Sequence, residues 1–143
     1  MRLYPPAPAV PREAIADDEI LGYRIPRGVP HIISSYVTHR RPDLWDEPER
    51  FNPERFLPAQ AAQRPRFAYY PFGGGPRMCI GNTFALTEGP LVLATLIQGY
   101  QVELVPDHPV ILDQTFTLRP KHGVRVKLRR RSLSAKHASD LEA

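Results

Sequence analysis

Apolar positions along the chain follow three different rhythms. Over residues 1–30, Val10, Ile15, Ile20, Leu21 and Ile25 are scattered among Pro5, Pro6, Pro8, Pro11 and Pro26. Such spacing suits short strands and turns and excludes a long helix, because proline removes a donor and fixes φ. Gly28, just after Ile25-Pro26-Arg27, reads as the close of a turn. His31–Val37 (HIISSYV) is the best early strand, bounded by Pro30 and the polar Thr38-His39-Arg40-Arg41. Asp43–Glu47, bracketed by Pro42 and Pro48, predicts one helical turn. From Arg50 to Pro71 the aromatics Phe51, Phe56, Phe67, Tyr69 and Tyr70 lie among prolines with no sustained period. That stretch is expected to be irregular chain packed on something larger.

The helical rhythm begins after the run Gly73-Gly74-Gly75. Ala85, Leu86, Leu93, Leu96 and Ile97 recur at three- and four-residue offsets and predict a helix over Asn82–Gly99 with those residues on one face. Pro90 interrupts it, at a cost of ~3 kcal/mol unless the helix bends there. Tyr100–Val105 and Val124–Leu128 then alternate with period two. Val102 and Leu104 face one way in the first, and Val124, Val126 and Leu128 in the second, so two half-buried strands are expected. From Arg129 the chain turns polar and aperiodic, and residues 132–143 are expected to be a disordered polar tail. The fold class is therefore mixed α+β over 1–131: one long helix after the glycine run and several short strands.

Composition changes this picture little. The length of 143 residues allows one domain at roughly 100–200 residues per domain. Apolar residues at 42% and charged residues at 24% indicate a chain that can bury a core. The 17 prolines account for its richness in turns. The longest run without charge, Gly89–Val102, falls short of the ~18 apolar residues of a membrane span, and the first residues lack the apolar stretch of a signal peptide. No membrane segment is expected in this chain, and a cytoplasmic setting follows. The net charge of +4 is concentrated at one end, with eight basic and two acidic residues in 119–143. That basic end has no interleaved aromatics and belongs to no nucleic-acid module, so no nucleic-acid partner is expected.

The single cysteine, Cys79, excludes an intrachain disulfide and any multi-cysteine zinc site. His31, His39, His108, His122 and His137 show no ligand spacing and read as surface or structural residues, and Trp45 as a packing anchor. The glycine run fails as a phosphate loop, because no Lys-Ser/Thr pair follows Gly81, and as a dinucleotide fingerprint, because Met78 stands where a third glycine is needed. What stands is Phe72-Gly73-Gly74-Gly75-Pro76-Arg77-Met78-Cys79-Ile80-Gly81. Glycines let the backbone turn around a sulfur and approach a flat ligand, N–H groups at a helix start favour a thiolate, and Arg77 is a permanent cation two residues from it. A thiolate on haem iron uses this combination, because it donates electron density that favours O–O cleavage.

Phe72, Gly75, Arg77, Cys79 and Gly81 reproduce F-x-x-G-x-R-x-C-x-G, and the chain thereby resembles the cytochrome P-450 family of haem-thiolate monooxygenases. Arg2-Leu3-Tyr4-Pro5-Pro6 is similar to the end of that family's E-x-x-R helix, and Pro53-Glu54-Arg55-Phe56 to its P-E-R-F segment. Trp45–Pro48, Phe84-Ala85-Leu86 and Thr117-Leu118-Arg119-Pro120 also fit, so the resemblance runs from Met1 to about Arg130.

The resemblance implies the C-terminal, haem-ligating portion of a mainly helical parent fold. It makes Cys79 the proximal iron ligand and catalytic residue of a haem b enzyme that inserts one atom of O2 into a small organic substrate. Electrons would come from a reductase, a ferredoxin or a flavodoxin. Phe72, Gly73, Gly75, Gly81 and Ala85 would shape the cofactor site, with Arg77 and Arg12 toward the propionates. Ala9, Val10, Thr115 and Phe116 match segments that line the substrate pocket. Arg2 and Arg55 correspond to the two arginines of a buried charge network with the E-x-x-R glutamate, whose position falls before Met1. The family's distal helix also has no counterpart here, so this chain alone is expected to be inactive. A companion N-terminal part of the same protein is a possible partner, and the alternative is a truncated or companion-dependent haem-binding fragment without catalysis of its own.

Overall fold

The computed structural model describes residues 1–131, so the tail expected over 132–143 lies outside the described residues. The described residues divide into two compact units, one of residues 1–79 with 112–119 and the other of residues 80–111 with 120–131.

In the first unit β1 (Val10–Glu13) pairs antiparallel with β4 (Pro30–Ile33), Val10 opposite Ile33 and Glu13 opposite Pro30. Between them β2 (Asp18–Ile20) and β3 (Tyr23–Ile25) form a hairpin. Its two-residue turn, Leu21-Gly22, has positive φ at both positions, +53° and +82°. That is the primed turn whose twist matches the strands. Gly28, at φ +77°, takes the turn position its place after Pro26-Arg27 predicts; Val29 N–H on Pro26 O at 3.4 Å closes that turn, and Gly28 N–H reaches back to Ala14 O at 3.0 Å.

The strand expected over His31–Val37 ends early. Ser34 accepts the Val37 N–H on its Oγ, caps the helix start and turns the chain into α1 (Ser35–Thr38). Asp43–Glu47 forms turns and no assigned helix, with Trp45 N–H bonded to Arg41 O at 3.0 Å. Residues 50–71 are more regular than their composition suggests. Asn52 accepts the Glu54 N–H and starts a 3-10 turn at Pro53–Phe56, and α2 (Pro58–Ala62) follows with its proline in the first turn. Late in the unit, Leu118 donates to Pro6 O at 2.8 Å, and the ladder of β6 (Leu112–Asp113) with β7 (Arg119–Pro120) closes on an Asp113–Arg119 ion pair at 3.2 Å.

The small core of this unit is Trp45, Ala68 and Pro5 together with three polar residues, Arg2, Ser35 and His39. Around them Trp45, Phe56, Tyr69 and His39 pack edge-on or tilted, with ring centroids 5.0–6.5 Å apart. Trp45 is the packing anchor it was read to be.

The second unit holds α3 (Asn82–Gly99), which has the predicted bounds, followed by β5 (Tyr100–Leu104) paired antiparallel with β8 (Val126–Arg130). Val102 stands opposite Leu128 and Leu104 opposite Val126, so the alternating apolar positions meet across the ladder. The strand runs on through Arg129 and Arg130, past the expected start of polar coil, because Arg130 pairs with Tyr100 and Arg129 with Glu103 at 3.3 Å. Pro90 lies within a helix that continues on both sides of it. Leu93, Leu96 and Ile97 share the expected face, but Phe84 and Leu91 fall on the opposite side at 100° per residue, and all five are exposed. Among the described residues no helix is long and apolar enough to cross a membrane.

Candidate functional site

The glycine-rich segment of the first unit is shaped by its own backbone. Gly73 donates to Tyr70 O at 3.0 Å, and Gly73 and Gly75 sit at φ +74° and +71°, a region that side chains avoid. Gly75–Arg77 forms a 3-10 turn closed by Met78 N–H on Gly75 O. Cys79 N–H then returns to Phe72 O at 3.0 Å, so residues 72–79 form a closed loop that ends on an exposed free thiol. Gly74 has a separate reason to be glycine. A Cβ there would lie 2.6 Å from the ring of Phe67.

Beside this loop is a cavity of about 450 Å³. Val10, Ile33 and Phe67 give it apolar walls, Gly74 and Gly75 a bare backbone side, and Arg12 its charge; Thr38 and Tyr70 also line it and share a hydroxyl hydrogen bond of 2.8 Å. Arg12 donates to Pro11 O at 2.8 Å and reaches Gly74 O at 3.5 Å. An apolar slot with one guanidinium at its edge and a glycine loop ending in a free thiol suits a flat apolar cofactor with an anionic rim. Haem is such a group, so the residues present fit it. Arg77 is exposed and Phe72 half-buried.

A second polar centre is built on Arg2. Its guanidinium donates to His39 O at 2.7 Å, Pro48 O at 2.6 Å and Arg50 O at 3.0 Å, and stacks 4.9 Å from the Trp45 ring centroid. Burial first, then the nearby charges of Arg55 and Arg40, hold its pKa below the usual arginine value, with Glu49 opposing. Backbone carbonyls thus satisfy Arg2 where a carboxylate was expected. Arg55 donates to Glu47 O at 3.2 Å, while its buried Nε has no protein partner among the described residues. Trp45 Nε1 is in the same position, and both residues line a smaller cavity of about 190 Å³ with Arg64.

Of the residues expected to form one site, Arg12, Val10 and Gly75 meet at one cavity, and Gly73 lies beside Arg12, where an added Cβ would stand 3.8 Å from Nη2. Thr115 is occupied with Asp113, to which its N–H donates at 3.2 Å, and Phe116 is 91% exposed; neither lines that cavity, nor does Ala9. Gly81 and Ala85 belong to the other unit, where Ala85 N–H bonds Gly81 O in the first turn of α3. Sequence reasoning missed Ile33, Thr38, Phe67, Tyr70 and Gly74 at the cavity and His39 behind it. Gly74 was visible only as part of a run.

Comparison with known proteins bears on the family and the fold. A protein-family profile described as Cytochrome P450 matches residues 1–128. Putative cytochrome P450 132 of Mycobacterium tuberculosis is 49% identical over 122 residues, covering 85% of this chain and 26% of that protein. Cytochrome P450 4V2 of Homo sapiens is 38% identical over 133 residues, covering 92% and 25%. Among solved structures, retinoic acid bound cyanobacterial CYP120A1 superposes with a TM-score of 0.86 at 41% identity, covering 91% of this chain and 30% of that one. The chain spans about a quarter of the length of the curated relatives it matches.

Proposed function

The chain belongs to the cytochrome P450 family, and from that membership we propose that it carries the proximal, thiolate-bearing part of a haem monooxygenase. The observation that supports this best is the closed loop 72–79, which ends on the sequence's one cysteine as an exposed free thiol and whose Gly74 and Gly75 line a cavity edged by Arg12. The family implies haem, and haem b is the form proposed. When bound, such a haem supplies oxygen activation, by which one atom of O2 enters an organic substrate and the other leaves as water.

The chain's own residues hold and tune that group. Cys79 Sγ would hold the iron. Phe72, Gly73 and Gly75 set the loop that carries it. Arg12 and Arg77 would neutralise propionates, and Val10 and Ile33 would keep water from the apolar wall. A carboxylate, corresponding to the E-x-x-R glutamate, is the proposed partner of Arg55 beside Arg2. Substrates are small organic molecules, and the electron donor is a reductase, ferredoxin or flavodoxin. The test is the ferrous carbon monoxide spectrum of haem-loaded protein. The parent should show the red-shifted Soret band of thiolate ligation and Cys79→Ser should lack it; an unchanged band in the serine variant would exclude Cys79 as ligand.

A further inference from the structure

His39 stands behind the cysteine loop, and nothing in its sequence surroundings marks it. Its side chain is completely buried at the C-terminal end of α1. The ring packs on Tyr69 and Tyr70 at centroid distances of 5.0 and 5.3 Å and on Trp45 at 6.5 Å. Its Nε2 accepts the backbone N–H of Tyr70 at 3.0 Å, which requires the neutral ring with the proton on Nδ1. Its carbonyl takes the Arg2 guanidinium at 2.7 Å, and its neighbour Thr38 shares a hydrogen bond with the Tyr70 hydroxyl.

Tyr70 is where the cysteine loop is anchored. Its carbonyl receives the Gly73 N–H, and two residues on, Phe72 O receives the Cys79 N–H. A residue held through its backbone N–H, its ring face and its hydroxyl has little freedom left. From this juxtaposition we propose that His39 is a positioning residue for the Cys79 loop, fixing the peptide at Tyr70 from which residues 72–79 depart. Only the bearing of this on iron ligation rests on the function proposed above.

The imidazole is suited to the task. Tyr70 N–H lies in a part-buried bond beside aromatic rings, where loss of its acceptor is costly. An aromatic ring with one acceptor nitrogen fills the space and bonds the N–H at once, while its own Nδ1–H is buried without a partner among the described residues and offsets part of that gain. Burial also holds the His39 pKa at about 4, which keeps Nε2 free to accept at neutral pH.

The test compares His39→Gln with His39→Met in the full chain. The two side chains are close in length, both lack the ring, and only glutamine offers an acceptor near the place of Nε2. Amide hydrogen exchange is followed at Tyr70, Gly73 and Cys79, with Arg12 and Ile33 of the β1–β4 ladder as reference. The methionine variant should lose about tenfold or more protection at all three loop amides while the ladder stays within about twofold, and glutamine should restore most of it. Equal behaviour of the two variants, loss confined to Tyr70, or uniform loss through the ladder would each overturn the proposal. Should the methionine variant not fold, the unmutated chain decides. A scalar coupling between Tyr70 N and His39 Nε2 across the hydrogen bond is expected, and its absence overturns the anchor. The Cys79→Ser spectrum is read independently, so failure of one proposal is distinguishable from failure of the other.

Discussion

Replacing Arg2 by methionine keeps much of the buried stem and removes the charge with all of its donors. The three carbonyls that lose their partner differ in environment. Those of Pro48 and Arg50 are only partly buried and can turn to water, whereas that of His39 belongs to a fully buried residue. An unsatisfied buried acceptor costs ~1–3 kcal/mol. Loss of the stacking on Trp45 adds about 1–2 kcal/mol for a desolvated cation–ring contact. Against this, Arg2 no longer has to be desolvated beside Arg55 and Arg40, which offsets part of the loss. The net expectation is a destabilisation of about 3 kcal/mol, a large fraction of the ~5–15 kcal/mol of a typical domain. Arg2→Lys should fall between, since one ammonium cannot span three carbonyls in a fixed fork. Urea unfolding followed by tryptophan fluorescence reads this centre directly, because Trp45 is the one tryptophan of the sequence, is 4% exposed and lies 4.9 Å from the guanidinium. A methionine variant within ~0.5 kcal/mol of the parent would refute the view that these carbonyls depend on Arg2, since surface substitutions stay within that range.

Two further outcomes follow from the same geometry. His39 has its pKa lowered by burial from 6.5 to about 4, so between those values the unfolded chain binds a proton that the folded chain does not. Stability is therefore full above pH 6.5 and falls by up to about 3 kcal/mol as the pH drops to 4, at 1.36 kcal/mol per pKa unit; a urea midpoint that is flat over this window would contradict it. Neutralising Arg12, at the edge of the large cavity, should speed haem transfer to an apo-globin acceptor about tenfold or more, since a charge-assisted contact is worth roughly 1.5–3 kcal/mol. Neutralising the exposed Arg130 of β8 should leave transfer unchanged, and equal loss from both variants would remove Arg12 from the cofactor site.

What could be read from the residues alone depended on where each kind of order is encoded. The bounds of α3 were legible because glycines bracket it and a 3.6 period fills it, and the pairing of β5 with β8 because apolar alternation fixes which residues can meet. The strand over His31–Val37 failed at Ser34, where a single hydroxyl bonded to Val37 N–H outweighs the β-preference of the residues after it. The turns of the cysteine loop were legible from its glycines, since Gly73 and Gly75 sit at positive φ. Arg2 was identified by resemblance, but its partners were not, and His39 was read only as surface or structural. Both failures have one cause. Arg2 is held by carbonyls of His39, Pro48 and Arg50, and His39 holds the N–H of Tyr70, so each bond has one side-chain end and one backbone end. A backbone partner is the same whatever residue carries it and so leaves no complementary side chain to find. Substitution at Pro48, Arg50 or Tyr70 keeps the backbone acceptor or donor, provided the new residue is not a proline at Tyr70, whereas substitution at Arg2 or His39 removes the bond outright. For these four hydrogen bonds, sensitivity to mutation should therefore be one-sided, concentrated on Arg2 and His39, which supply the side-chain ends.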